Sequence, residues 1–474
     1  MGNAPSKEAF RDQPYSGYHK RDISPPDAEL TQVGPGTAMG EYLRKFWTPV
    51  CLSVELTDVP KAIRILGENL VAFRDKAGKV GVLHRQCAHR GASLEFGIIQ
   101  QQGIRCCYHG WVYDVDGRVL ETPCEPAESN LKNTITQGAY PAFERHGLIF
   151  AYMGPIESKP DFPDFDVFHE PSDNRLIPFS NVYPCNWLQV AENIMDHFHS
   201  SVLHNNMVVE SVDSKTASRL ALEGFGAMPE IEWMTTHDGN GMCFTAARRI
   251  DDEKVYIRIN SAVLPHHMII GSPTAQASRT RHGRVGNNRW HTPVDDTHTI
   301  IFGWRHFNDE ADPDHIGREE DLGVDKFDFI DGQVGNRTYD QGQRAPGDWE
   351  ALTSIGPIAV HRREHLGRSD LGVAMYRKLL RAAVRGETKP NSIHEAQRAK
   401  GQGLHIYTQD SVLRVPKRAG TDDKQLLRKV AAQVFAIMQE ADALPSAERD
   451  PHIRKRLDQL GEGHALVPKE KAAV

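Results

Sequence analysis

The sequence predicts an α+β protein of two unlike domains, an antiparallel β module followed by a sheet gripped by helices. Three observations carry that reading. The chain has 474 residues, more than one hydrophobic core ordinarily serves. Between Ile63 and Leu120 it breaks into short β-rich runs. Six prolines then fall between residues 155 and 184, and beyond them helical and strand periods mix.

Residues 1–40 read as an N-terminal arm with a helix laid on the second domain. The first thirty are polar and carry Pro14, Pro25 and Pro26. Residues 41–153 form the β module. Its runs AIRILG, LVAFRD, KVGVLH and GWVYDVDGRVLE are punctuated by turns at Lys76-Ala77-Gly78 and Asp116-Gly117, and LIFAYMG supplies a last strand. Residues 154–474 form the second domain. A helical segment is expected near 187–204, then the strands CFTAARRI, KVYIRINSAVL and HTIIFGWRHF. Helices follow at 368–386 and 422–442, the latter with apolar residues at helical spacing in QLLRKVAAQVFAIM. The tail past 400 otherwise carries no readable motif.

Composition narrows the function classes. Apolar residues make up 39% and charged residues 25%, a globular balance. A net charge of −7 argues against a nucleic-acid partner, which calls for a basic face. No run of eighteen apolar residues suggests a membrane span. Seven cysteines, odd and scattered, make no disulfide framework and fit a reducing cytoplasm.

Chemistry concentrates at two places. The first is Cys87-x-His89 followed after sixteen residues by Cys106-x-x-His109. Each pair lies on a tight loop with a glycine, Gly91 or Gly110, where the backbone must turn beside a ligand. Two such fingers can close on one metal centre. A zinc site is the plain alternative, but the C-x-H pair is cramped for most zinc fingers. Cys107-x-His109 also satisfies a C-x-H pattern, so both cysteines stay in play. These loops, with HRGASL after the first pair and YHGW around the second, resemble the Rieske family. The resemblance implies a [2Fe–2S] cluster with Cys87 and Cys106 on one iron and His89 and His109 on the other. It selects Cys106 over Cys107.

The second place is Asp196-x-x-His199-x4-His204. Asp196 and His199 are neighbours on a helical face. His199 and His204, five apart, diverge by about 140° on a regular helix and share an ion only if the helix distorts between them. Downstream of a Rieske module, this pattern resembles the mononuclear iron motif of ring-hydroxylating oxygenases. The resemblance implies that His199 and His204 ligate Fe(II) and that Asp196 bridges towards the cluster. The iron face also needs a carboxylate. The stretch APGDWEALTSIGPIAVHRREHLGRSD resembles the phthalate-dioxygenase-like branch and places that ligand at Asp348, 144 residues past His204, with Glu350 as the fallback. Asn193 is expected to tune access to the iron or simply to hydrogen-bond along the helix.

Further expectations follow from the resemblance. A flavin- and ferredoxin-type reductase would draw electrons from NAD(P)H and pass them to the cluster. O2 and an aromatic, carboxylated small molecule would be the substrates, for ring hydroxylation or O-demethylation. His109 of one subunit would face Asp196 of its neighbour, whose carboxylate would bond His199, implying a head-to-tail homotrimer or trimer of dimers. An aromatic carboxylate needs a cationic partner, for which Arg248, Arg249 and Arg258 are candidates, though strand alternation lets only one of the adjacent pair point inward. Cys243 stands ahead of Phe244 where the resemblance leads one to expect arginine, which argues against phthalate itself. An electron carrier without a catalytic iron would need only the first domain.

Overall fold

Short β-branched runs fold as antiparallel strands. In the N-terminal module, β1 is Trp47–Leu52, β2 Lys61–Ile65, β3 Glu68–Arg74 and β4 Val80–His84. Next come β5 (Ile98–Ile99), β6 (Ile104–Arg105), β7 (Val112–Tyr113) and β8 (Val119–Glu121). The module closes with β9 (Ala139–Tyr140), β10 (Ala142–Arg145) and β11 (Leu148–Tyr152). They build three sheets, ordered β2-β3-β4-β9, β5-β6-β7-β8 and β1-β11-β10. Gly78 and Gly117 take φ of 87° and 84° at the two turns the sequence marks. The two metal-loop segments follow β4 in the first of these sheets and β6 in the second. The computed structural model describes residues 11–21, 23–169, 171–206, 227–236, 241–272, 281–312, 315, 317–327, 332–388 and 403–465.

The second domain is one nine-stranded antiparallel sheet. Its strands are β12 (Arg175–Tyr183), β13 (Glu230–Thr235), β14 (Gly241–Arg249), β15 (Lys254–Val263), β16 (His267–Gly271), β17 (Arg281–Gly283), β18 (Val285–Asp295), β19 (His298–Phe307) and β20 (Gln409–Arg414). The path runs β12-β19-β18-β16-β15-β14-β13, with β20 paired to β15 and β17. Period-two alternation along β14 explains the grip. Met242, Phe244 and Ala246 face one way, into a core with Tyr376 and Leu380 of the helix Leu371–Val384. Cys243 and Ala247 face the other way, under Leu427, Val430 and Val434 of the helix Asp423–Glu440.

Two features were not expected from the sequence, and a third, the break in the metal segment, is the distortion that the His199–His204 spacing requires. A further helix, Ser446–Ala465, follows, its buried apolar residues few (Ile453 and Leu457) but its Arg449 and Asp450 also buried, paired with Asp166 and Arg284. The segment near 187–204 is broken: a helix at Trp187–Ala191, a 3-10 turn at Glu192–Met195, a short α turn at His199–Ser201 and a π turn at Val202–Asn206. The proline-rich connector changes topology without separating two cores. Val50, Ile65 and Leu70 of the first module share one cluster with Trp187, Leu188 and Met242 of the second. The Leu66 and Gly67 amides also donate to Pro293 and Val294 carbonyls at 2.9 Å each. The arm joins that cluster, with Leu30, Val33 and Met39 fully buried, each contributing about 1.5–3 kcal/mol of apolar burial. Trp187 Nε1 donates to the Leu30 carbonyl at 3.0 Å. No helix among the described residues is long and apolar enough to cross a membrane.

Candidate active site

The two loops after β4 and β6 are built alike. The Cys87 amide donates to Ala92 O at 2.9 Å and the Cys106 amide to Trp111 O at 2.8 Å. The amides of Gly91 and Gly110, four residues past each cysteine, return to the cysteine carbonyls, and both glycines take φ of 75°. By this repeat Cys106, not Cys107, is the counterpart of Cys87. Cys87 and Cys106 are buried, whereas Cys107 is exposed. The His89 and His109 rings lie 4.6 Å apart at the loop tips, and His89 stacks on Trp111 with centroids 4.6 Å apart and 3° between planes. Burial pushes the Cys106 thiol up, and its neighbour Cys87 adds to the shift. The Tyr113 hydroxyl sits 2.9 Å from Cys87 Sγ, and donation to a thiolate there would tune a cluster's potential. Two thiols and two imidazoles converging from paired loops fit a [2Fe–2S] cluster.

In the second domain the π turn answers the spacing problem. The chain passes from the short α turn at His199–Ser201 into the wider π turn that carries His204, and with that change of winding the rings of His199 and His204 come within 5.0 Å. His199 Nδ1 hydrogen-bonds to the main-chain carbonyl of Asp196, which leaves Nε2 to face Asp348. Asp348 Oδ1 lies 3.4 Å from His204 Nε2 and 3.7 Å from His199 Nε2. That oxygen is buried with no hydrogen-bond partner, while Oδ2 accepts from Gln333 Nε2 at 2.6 Å. An orphaned carboxylate oxygen aimed at two imidazole nitrogens is the donor set of a 2-His-1-carboxylate metal face, so the residues fit iron. Burial alone would raise the Asp348 carboxyl, but the two histidines and Gln333 outweigh it and hold it far below the usual carboxylate range.

Other expected residues are placed as follows. Glu350 does not join the face; its carboxylate accepts from the Gly347 amide at 2.9 Å and pairs with Arg337. The Asp196 carboxylate is partly exposed and leaves the His199 ring to its own carbonyl, a departure from the expected carboxylate–imidazole bond. Burial raises the Asp196 carboxyl. A second group, Glu192, His361 and Glu364, has ligand-like spacing, but Arg377 fills it, bonding Glu192 at 2.5 and 2.7 Å and Glu364 at 2.5 and 3.0 Å.

Beside the metal face the described residues enclose a cavity of about 80 Å³. Asn193, Arg258, Asn260, Arg289, His291 and Gln333 give it polar groups, and Val190, Ile194, Met268, Ile270, Ile301 and Leu352 give it apolar ones. Of the three expected arginines only Arg258 lines it, and Asp410 already holds that guanidinium at 2.6 and 3.0 Å. Arg249 points to the opposite face, bonded to Asp423 at 2.5 Å. Arg248 is fully buried and clamps the metal segment, donating to His197 Nε2 at 3.1 Å and Ser200 Oγ at 3.0 Å. Burial depresses its pKa to about 10. Arg289 was missed. It is held by neutral partners, Asn287 at 2.8 Å and Gln333 at 3.3 Å, and strand alternation beside His291 is the signal that could have found it.

Residues 46–139 match the Rieske [2Fe-2S] domain model, and residues 151–318 match the model described as LigXa C-terminal domain like. A tert-butanol monooxygenase / tert-amyl alcohol desaturase oxygenase subunit of Aquincola tertiaricarbonis is 56% identical over 97% of this chain and 99% of that one. The chain belongs to the Rieske oxygenases. This Rieske oxygenase subunit is also 37% identical to the phenoxybenzoate dioxygenase subunit alpha of Ectopseudomonas oleovorans, over 78% of this chain and 88% of the relative. The phthalate 4,5-dioxygenase oxygenase subunit of Pseudomonas putida is 30% identical over 75% and 84%. Dicamba monooxygenase shares the fold, with a TM-score of 0.53 at 17% identity, covering 73% of this chain and 98% of that one. As a Rieske-type oxygenase it carries a [2Fe–2S] cluster and a mononuclear iron as cofactors.

Proposed function

We propose that this subunit oxidises a small organic molecule with O2, drawing NAD(P)H electrons through a flavin- and ferredoxin-type reductase. Cys87, His89, Cys106 and His109 hold the cluster; His199, His204 and Asp348 hold Fe(II). Bound in that face, ferrous iron supplies open positions for O2. The carrying observation is the buried, unpartnered Asp348 Oδ1 facing both imidazoles across from the cavity. Asp196, partly exposed beside His199, is the bridge to His109 of a neighbouring subunit in a head-to-tail homotrimer, working in the cytoplasm.

Cavity size favours a compact substrate. About 80 Å³ is roughly half of the 150 Å³ that accommodates benzene in a protein interior. A short branched alcohol, the kind of substrate named for the Aquincola relative, is about as bulky as benzene but smaller than any aromatic acid, so the aromatic acids are what this space disfavours most. Arg289 and Asn260 would receive the alcohol's hydroxyl, and Val190, Ile194 and Ile301 its methyl groups. An aromatic substrate is the second reading, favoured by the aromatic compounds in the names of the phenoxybenzoate and phthalate relatives. Its carboxylate would go to Arg289, because Arg258 is engaged by Asp410.

The test pairs the purified subunit with a surrogate reductase and follows NADH and O2 consumption together with product. Coupled product from tertiary alcohols, with none from benzoates or methoxybenzoates, establishes the first reading. The converse result establishes the second. O2 consumption without product from either panel would defeat both.

A further inference from the structure

Gln333 meets the one Asp348 oxygen that does not face the histidines. Its Nε2 donates to Asp348 Oδ2 at 2.6 Å, while Oδ1 is left for the metal face. The amide cannot be turned round, because its Oε1 accepts from Arg289 Nη1 at 3.3 Å and a guanidinium has only donors. The backbone there is anchored as well: the Tyr183 hydroxyl donates to the Gln333 carbonyl at 3.0 Å, and the Trp349 amide to the Gly332 carbonyl at 2.8 Å. Gly332 and Gly347 make this pairing possible. A Cβ built on Gly332, where φ is 85°, would lie 2.6 Å from the Gly347 Cα, so only glycines let the two segments press together. Gln333 and Asp348 therefore stand side by side, and Gln333 is 1% exposed.

A carboxylate can give a metal one oxygen or two, and a short hydrogen bond to one oxygen reserves it. We infer that Gln333 is a positioning residue that keeps Asp348 a one-oxygen ligand, so that two imidazoles and a single oxygen would leave positions open for O2 beside the substrate. Being neutral, the amide does this without pulling the carboxylate out of the face as a cation would. The inference rests on the iron ligands proposed above.

Gln333→Met keeps length and removes the donor. Anaerobic ferrous protein is titrated with nitric oxide, and the high-spin ferrous–nitrosyl EPR signal is read beside iron content. A nitrosyl signal in the unsubstituted protein establishes the iron reading separately, and its absence there would overturn that reading and the inference with it. The expected result for Gln333→Met is full iron content, an unchanged Rieske absorption spectrum and nitric oxide binding about tenfold weaker. Unchanged nitric oxide binding overturns the inference. So does iron loss in proportion to the signal, which would make Gln333 a mere prop for the ligand. Should Gln333→Met lack Rieske colour, Gln333→Asn, which keeps the amide but withdraws it by one methylene, is read by the same criteria.

Discussion

His204 Nε2 stands 3.4 Å from Asp348 Oδ1, while Glu350, two residues on, is spent on the Gly347 amide and Arg337. The two carboxylates therefore have separable jobs. Asp348→Ala should lose one iron and turnover while keeping the Rieske spectrum, as should His199→Ala and His204→Ala. Glu350→Ala should keep its iron and lose about 1–2 kcal/mol of stability through the broken cap and ion pair. Iron analysis beside thermal melts decides; an inactive, iron-free Glu350→Ala with a fully active Asp348→Ala would reverse the assignment.

The repeated loop geometry makes a sharp distinction between adjacent thiols. Cys87→Ser or Cys106→Ser should bleach the red-brown protein and remove two irons with two acid-labile sulfides. Cys107→Ser, at an exposed position, should leave colour and sulfide intact. Visible absorption and sulfide assay check this, and a bleached Cys107→Ser would refute it.

Asp196→Asn tests the electron path with little structural disturbance. The His199 ring is held by the Asp196 carbonyl, which asparagine retains, so both metals should stay bound. What asparagine loses is the charged acceptor for an imidazole across the subunit boundary. Stopped-flow mixing of pre-reduced enzyme with O2 and substrate should show cluster reoxidation slowed by at least about tenfold. An unaltered rate would remove Asp196 from the path.

Glu68 accepts from Arg44 at 2.6 Å and Tyr140 at 2.7 Å within the first module, and Arg44 in turn donates to the arm's Val33 carbonyl at 3.4 Å. Burial would raise its carboxyl, but hydrogen bonds from His84, Tyr140 and Arg44 outweigh it and bring it from 4.5 down to about 2. A folded value below the unfolded one stabilises fully above pH 4.5 and fades as pH falls towards 2, with a ceiling of about 3 kcal/mol. Glu68→Gln should therefore melt lower at neutral pH and lose less on acidification across that window. Melting curves as steep in acid as those of the unsubstituted protein would show that Glu68 is not the group responsible.

How much of this was legible in the sequence depends on how local each feature is. The cluster loops declare themselves because a cysteine, a histidine and a glycine within five residues leave few other reasons for the pattern. Asp348 was reachable only by resemblance, since nothing in its own neighbourhood distinguishes it from Glu350. Gln333 was invisible, since it depends on two distant glycines meeting; Arg289 was legible only through alternation beside His291 on β18. Alternation showed that Arg248 and Arg249 must face opposite ways, yet burial alone decides that Arg248 serves His197 and Arg249 serves Asp423. The helix Ser446–Ala465 escaped because Pro451 and a sparse apolar stripe disguise it.

The widened turn at Val202–Asn206 makes chain length, more than side-chain identity, the quantity that matters between His199 and His204. Four residues separate the two imidazoles, and it is the change from α to π winding within that count that brings them together. Removing one residue would create a spacing that an ordinary helix satisfies, so the segment would relax into regular hydrogen bonding and carry His204 to a new height and azimuth. Adding one would overshoot in the other direction. The stretch from Ser200 to Leu203 thus behaves as a ruler. It should accept many substitutions outside the clamp that Arg248 makes on Ser200, but no insertion or deletion, and a shift in this count elsewhere would mark a centre that no longer holds its metal in the same way.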